Sequence, residues 1–279
     1  MITTENLRKS YKNRVEALRG ITTVLDRRVT SIIGRNGAGK TTFIRILSTQ
    51  LFPTSGSAFI NGVDVIKFPD RIRGRIVSIP QEASPIGILT PFEIVKMYLT
   101  GRGQSLQEST ISTNKALEEL GISEYRNKPT DTLSGGTKRK VFVAMAIASN
   151  ADIIFLDEPT TGLDPISRIE VWSAIKQIQG DIILTTHYME EASELSNEVV
   201  LIDDGRIIEK GSVKDLMQRF EGLVRVEGKD IKDPEIVIGS TRIKYVKKEE
   251  AMAYVEAGEL VKPISLDDVF IKHGVEIEY

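Results

Sequence analysis

The chain has 279 residues, with 37 Lys and Arg against 39 Asp and Glu for a formal charge of -2. That near-neutral balance excludes broad nucleic-acid binding, which needs a strong excess of basic residues. The absence of Cys excludes disulfides and thiolate chemistry, and two His residues leave no room for a His-rich metal centre. With 41% hydrophobic and 27% charged residues the chain reads as a folded globular protein, long enough for one large domain with an appendage.

In chain order, Val29 to Ile33 is a short β-branched run that leads into a glycine-rich turn. Residues 82–150 are mostly helical in pattern, punctuated by Gly87, Pro91, Gly101, Gly103, Gly121 and Pro129. Val141 to Ala148 is the most apolar stretch there. It falls well short of the roughly 20 residues of a bilayer span and reads as a buried core helix. Ile153 to Leu156 and Ile182 to Leu184 are uninterrupted apolar runs, as in strands covered on both faces. Val199 to Glu209 reads as a hairpin turning at Asp204-Gly205, and Ser212 is the expected N-cap of the next helix. Beyond Gly222 come short alternating segments and one amphipathic helix near 249–257. The alternation of strand-length apolar runs with helical patterns therefore favours an α/β fold with a mostly parallel sheet and a helical insertion at about 82–150. Residues 1–221 form the main domain and 222–279 a small α+β extension. Glu5 falls early and no apolar stretch follows a basic start, so no secretory signal is expected and the expected location is cytoplasmic.

Gly34-Arg35-Asn36-Gly37-Ala38-Gly39-Lys40-Thr41 fits G-x-x-x-x-G-K-[ST] between a strand and a helix, with Thr42 in the first helical turn. Glycines let successive N–H groups wrap a phosphate, and the following helix adds its positive end. Lys40 supplies charge between β- and γ-phosphates, and the Thr41 hydroxyl can ligate Mg²⁺. Read alone, the segment could be a glycine-rich turn that matches by chance. Ile153 to Leu156 runs into Asp157-Glu158-Pro159, and a carboxylate at the end of a buried parallel strand faces the crevice where open sheets bind ligands. Asp157 is the candidate for the Mg²⁺ hydration shell. Glu158, whose side chain diverges from it, is the candidate to orient or deprotonate the attacking water. The competing reading is a pair of acids capping a turn that Pro159 enforces.

Several further segments resemble one family, the ATP-binding cassette (ABC) ATPases. Leu133-Ser134-Gly135-Gly136-Thr137-Lys138-Arg139-Lys140 looks like its signature sequence, placed before Asp157 as in that family. Gln81 resembles the Q-loop, Thr161-Gly162-Leu163-Asp164 the D-loop, His187 the switch histidine, and Tyr11 the aromatic that stacks on adenine. The resemblance covers roughly residues 1–220 and implies a P-loop NTPase core with a mostly parallel sheet, a helical subdomain insertion, antiparallel β elements at the N-terminus and a small C-terminal α+β extension. It implies that two chains face head to tail around two ATP molecules, Ser134, Gly135, Gly136 and Asp164 of one completing the cradle of the other. It also implies that Gln81 joins Thr41 and Asp157 around Mg²⁺, and that His187 contacts the γ-phosphate. The partners implied are a second copy or a similar ATPase chain, and separate transmembrane permease subunits that dock near residues 82–100 and hold the protein at the cell membrane. No nucleic-acid partner is expected.

The tail Thr137 to Lys140, with Pro263 to Phe270, looks like exporter-type members for drugs, polysaccharides or lipids. Two departures stand out: Arg35 replaces the usual Pro, and Asp26-Arg27-Arg28 lacks the glycine common before the cradle strand. The rival readings are a soluble ABC ATPase of translation, DNA repair or cofactor assembly, and a nucleotide-gated regulatory subunit with little turnover. The single cassette without an inserted coiled coil weighs against the first, and the presence of Glu158 and His187 against the second.

Overall fold

Residues 1–12 and 15–273 are described by a computed structural model, so 274–279 of the expected extension lie outside the described residues. Strands β1 (Ile2–Ser10) and β2 (Glu16–Leu25) precede β3 (Val29–Ile33) and helix α1 (Lys40–Leu47). Next come β4 (Ser55–Ile60), β5 (Val63–Asp64), the short α2 (Asp70–Arg73) and β6 (Ile76–Ile79). The helical insertion holds α3 (Pro91–Gly101), α4 (Leu106–Glu119) and α5 (Gly135–Ala148). The chain returns through β7 (Ile153–Asp157), α6 (Pro165–Gln177), β8 (Asp181–Thr186), α7 (Met189–Leu195), β9 (Glu198–Asp203), β10 (Arg206–Gly211) and α8 (Val213–Gln218). Last come β11 (Leu223–Gly228), β12 (Ile236–Ile238), β13 (Thr241–Lys247), α9 (Ala251–Glu256), β14 (Leu260–Lys262) and α10 (Leu266–Lys272).

The central sheet has the order β10-β9-β3-β8-β7-β6. Its strands are parallel except β10, which pairs antiparallel with β9 across the Asp204-Gly205 turn. Every residue of β3 and of β7 is buried, which explains why neither run alternates. A second, antiparallel sheet, β2-β1-β4-β5, covers one face through Leu7, Leu18, Phe43 and Phe155. The insertion packs on the other side, joining Val95, Leu99, Leu117 and Val141 to Ile154 and Leu184. Capping boxes at Thr90/Glu93 and Ser105/Glu108 fix where α3 and α4 begin. Among the described residues no helix is long and apolar enough to cross a membrane.

The third sheet, β12-β13-β11-β14, is antiparallel throughout. It does not stand apart from the rest. Ile243 and Tyr245 of β13 and Val269, Phe270 and Ile271 of α10 share one apolar cluster with Ile33, Met189, Leu201 and Leu216. Under this sheet Asp268 is fully buried and accepts hydrogen bonds from Arg225 Nη1 at 2.9 Å, Tyr245 OH at 2.9 Å and the Ser265 amide at 2.8 Å. Burial, with the Asp268 charge beside it, pushes the pKa of the Tyr245 hydroxyl far above its ordinary value. Removing one partner of a buried ion pair is costlier than the pair's net contribution to stability. Asp268→Ala is therefore expected to destabilise the protein by about 3–5 kcal/mol, and Asp268→Asn by less. Urea unfolding of both variants checks the order.

Candidate functional site

Strands β3, β8, β7 and β6 are neighbours and run parallel, so their C-terminal ends emerge side by side along one edge. The P-loop, His187, the Asp157-Glu158 pair and Gln81 follow those four ends in that order. Lys40 is buried, and its Nζ donates to the Gly34 carbonyl at 2.7 Å and the Arg35 carbonyl at 3.0 Å. Arg35, Asn36 and Gly37 form the exposed tip of the turn, whereas Ala38 and Gly39 are buried. Two glycines are required by close approach. A Cβ on Gly34 would lie 2.1 Å from the Ile202 carbonyl oxygen, and one on Gly39, at φ 107°, 2.4 Å from that of Ala17. The first turn of α1 carries no acidic residue, which leaves its amide end positive.

Thr41 Oγ1 donates to Asp157 Oδ1 at 3.1 Å, and the same carboxylate oxygen accepts from Thr185 Oγ1. Thr41 and Asp157 thus present two hard oxygen donors facing one another. Mg²⁺ characteristically takes only one or two protein oxygens and leaves its remaining positions to phosphates and water. Among the described residues there is no cluster of three or more His, Asp and Glu suited to a cage made by the protein alone. The donor set fits Mg²⁺ bound together with a nucleotide.

Glu158 turns away from Asp157 with a backbone φ of 50°, a conformation that costs free energy outside glycine. Its amide is held by the carbonyl and hydroxyl of Thr185, at 3.1 and 3.0 Å. On its side chain, Oε2 accepts from Gln81 Nε2 at 2.9 Å and Thr161 Oγ1 at 2.9 Å, while His187 Nδ1 stands 3.3 Å away. Burial raises the Glu158 pKa, but hydrogen bonding from His187 and Thr161 and the charges of His187 and Lys40 outweigh it and leave the carboxyl below its ordinary range. Gln81, expected beside the metal, is here turned toward Glu158.

The remaining candidates divide by location. Tyr11, just past β1, brings its hydroxyl within 3.2 Å of Thr42 Oγ1 and is 41% exposed as a residue, with Lys9 Nζ 5.4 Å from its ring centroid. Ser134 caps α5 by accepting from the Thr137 amide at 3.1 Å, with Gly135 and Gly136 in the first helical turn. Asp164 caps α6 through the amides of Ile166 and Ser167. Gly135 and Thr161-Gly162 line a cavity of about 410 Å³ with Gln81 and Ser84.

Arg139 has a role that sequence reasoning missed. Its guanidinium is buried and donates to the carbonyls of Pro80, Gln81, Asp157, Glu158 and Pro159, at 2.6 to 3.2 Å. One side chain of α5 therefore fastens the turns that carry Gln81 and Glu158. The available signal was helical spacing: Arg139 shares a buried stripe with Phe142, Val143 and Ala146. Thr161 and Thr185, which hold the carboxylates, carried no signal of their own.

The family description "ABC transporter" matches residues 22–161. The daunorubicin/doxorubicin resistance ATP-binding protein DrrA of Streptomyces peucetius is 38% identical over 191 residues, 67% of this chain and 58% of that protein. The doxorubicin resistance ATP-binding protein DrrA of Mycobacterium tuberculosis is 32% identical over 270 residues, 94% of this chain and 81% of its own length. Among solved structures, cbiO1 of Clostridium perfringens, described as part of the ABC transporter complex cbiONQ, superimposes with a TM-score of 0.67 at 27% identity, covering 79% of this chain and 91% of that one.

The depressed pKa of Glu158 sets a sign for acid stability. Its contribution is complete above the ordinary carboxyl value of 4.5 and disappears as the pH falls through the lower folded-state value. Glu158→Gln is expected to flatten this part of the acid limb, which thermal unfolding between pH 3 and 7 reads directly.

Proposed function

The chain belongs to the ATP-binding cassette (ABC) transporter family as an ATPase subunit, and we propose that it works as a nucleotide-driven clamp for separate membrane-spanning subunits that export an amphiphilic substrate. The observation that carries the reading is the meeting of Gln81, Thr161 and His187 on one oxygen of Glu158, with β8 alone between its strand and the one that leads into Lys40 and Thr41. In this reading the amides of residues 34–42 and Lys40 hold the phosphates, and Tyr11 stacks on the base. Glu158 accepts a proton from the attacking water, and His187, whose Nδ1 faces Glu158, fixes that water against the γ-phosphate. Mg²⁺, held by Thr41 and Asp157 with Gln81 close by, would supply charge neutralisation at the β- and γ-phosphates.

Ser134, Gly135, Gly136 and Asp164 are proposed to serve the nucleotide of a facing chain. Ser134, Gly135 and Gly136 open α5, where amides favour an anion, whereas Asp164 caps α6 with its own carboxylate. A bound triphosphate then attracts the partner's helix end, and loss of phosphate removes that attraction. Docking to the permease is assigned to residues 82–100, where Ile86, Ile88 and Met97 are exposed. Residues 1–221 are read as the ATPase domain and 222–279 as an extension that braces it. The two drug-resistance relatives and the sequence features of the C-terminal region favour export of a drug-like or lipid-like molecule, with the protein at the cytoplasmic face of the membrane.

Two outcomes follow. Glu158→Gln is expected to keep ATP affinity, lower turnover by about 10²–10⁴ and accumulate as a dimer in sedimentation with MgATP. Turnover close to wild type removes Glu158 from the chemistry. Lys40→Ala is expected to abolish tight nucleotide binding by calorimetry, because it deletes the central counter-charge of the cradle.

A further inference from the structure

Glu191 is a buried carboxylate that the hydrolysis reading leaves without a task. It lies on α7 and is 0% exposed. Its Oε1 accepts from Thr160 Oγ1 at 2.7 Å and from Trp172 Nε1 at 3.0 Å. Its Oε2 is also buried and has no hydrogen-bond partner among the described residues. The two donors come from different segments. Thr160 belongs to the turn between Glu158 and Thr161, and Trp172 sits on α6, the helix that Asp164 caps. The carrier helix α7 begins two residues after His187. One side chain thus connects the Glu158 turn, the D-loop helix and the His187 turn.

Stability alone is a poor account of this arrangement. Burial raises the Glu191 pKa, and the polar side chains of Thr186, Thr160 and Trp172 with the charge of Arg168 oppose that without cancelling it. A buried carboxylate costs free energy, and replacing it together with its donors by apolar groups of the same shape would avoid the cost. What an apolar residue could not do is hold two donors from separate elements in fixed directions.

We propose that Glu191 is a positioning residue for ATP hydrolysis: by tying Thr160 and Trp172 to α7 it sets the spacing of Glu158 and His187 before nucleotide arrives. The proposal rests on Glu158 and His187 acting together on the attacking water. It touches neither Lys40, Thr41 nor the P-loop amides, so the step it governs is chemistry and not binding. Small displacements of such groups cost rate far more than affinity.

The test compares wild type, Glu158→Gln, Glu191→Ala, Glu191→Gln and Thr160→Val in steady-state MgATP turnover, with thermal unfolding of each. Glu191→Ala is expected to lower kcat by about ten- to a hundredfold while KM for ATP stays within about threefold. Glu191→Gln keeps the Oε1 acceptor and the shape, and should recover kcat to within about threefold of wild type. Thr160→Val removes one donor and should show the same kcat-specific loss, smaller in size and not additive with Glu191→Ala. If Glu191→Ala does not fold, Thr160→Val and Trp172→Phe carry the same comparison. The proposal is overturned if the Glu191 and Thr160 variants keep wild-type kcat, if kcat and KM worsen together, or if Gln at 191 is as damaging as Ala. An inactive wild type, or an unimpaired Glu158→Gln, overturns the hydrolysis reading itself. An active wild type with a crippled Glu158→Gln and normal Glu191 variants overturns only the inference.

Discussion

Four parallel strands that end in line are the constraint on which the rest of this structure depends. In a sheet buried on both faces, a slip of one residue would exchange the side chains between faces and empty the edge of its chemistry. The observed registers, Ile33 of β3 opposite Thr186 of β8 and Asp157 of β7 opposite Thr185, set which side chains reach that edge. The phosphate turn is braced from behind in the same way. The Gly205 amide donates to the Ala38 carbonyl at 3.0 Å, and the Arg19 amide to the Gly205 carbonyl at 2.8 Å. A Cβ on Gly205 would stand 2.8 Å from the same Ala17 carbonyl oxygen that crowds Gly39. The hairpin turn at Asp204-Gly205 is therefore part of the support of the cradle, so the amides facing the phosphates do not depend on a ligand for their arrangement.

Two buried charges divide the work of holding the loops. Arg139 turns its donors on backbone carbonyls after β6 and β7, groups that no ladder satisfies at the ends of strands. Burial holds its pKa below the ordinary value, with the charges of Asp157, Glu158 and Glu191 opposing that shift. Glu158 shows the opposite arrangement, one carboxylate oxygen facing several side-chain donors. A carboxylate held this way has its orientation fixed before any water reaches it, which is the condition for efficient proton transfer.

The fold was legible where a residue type has one local reason to be present. Unbroken apolar runs marked β7 and β8, a β-branched run before the glycine-rich turn marked β3, Asp204-Gly205 marked the β9–β10 turn, and Ser212 marked a helix start that forms with the expected side-chain cap. The placing of the glycine-rich turn after β3 and of the Asp157-Glu158 pair at the end of β7 was legible for the same reason. What escaped is tertiary. Arg139 stands in a basic run that looks solvated, and only the approach of the β6 and β7 turns makes it a buried fastener. Glu191 belongs to an acidic, helical segment whose ordinary place is the surface. Its partners Thr160 and Trp172 are remote in the chain, so no local pattern announces them. The turn of Gln81 toward Glu158 is likewise set by the meeting of two strand ends.

The extension beyond residue 222 belongs to this support and is not an independent body. Ile33 is the last residue of β3 before the phosphate turn, and Met189 opens the helix after His187. Both share one apolar cluster with Tyr245, Val269 and Phe270 of the extension. Close-packed cores transmit displacement instead of absorbing it. The backs of two strand ends that carry functional groups are thus filled by side chains from the C-terminal sheet and helix, and the Arg225–Asp268–Tyr245 network fixes that sheet and helix to each other. Ile33 and Met189 are therefore the residues by which the phosphate turn and the His187 turn are packed against the C-terminal sheet and helix.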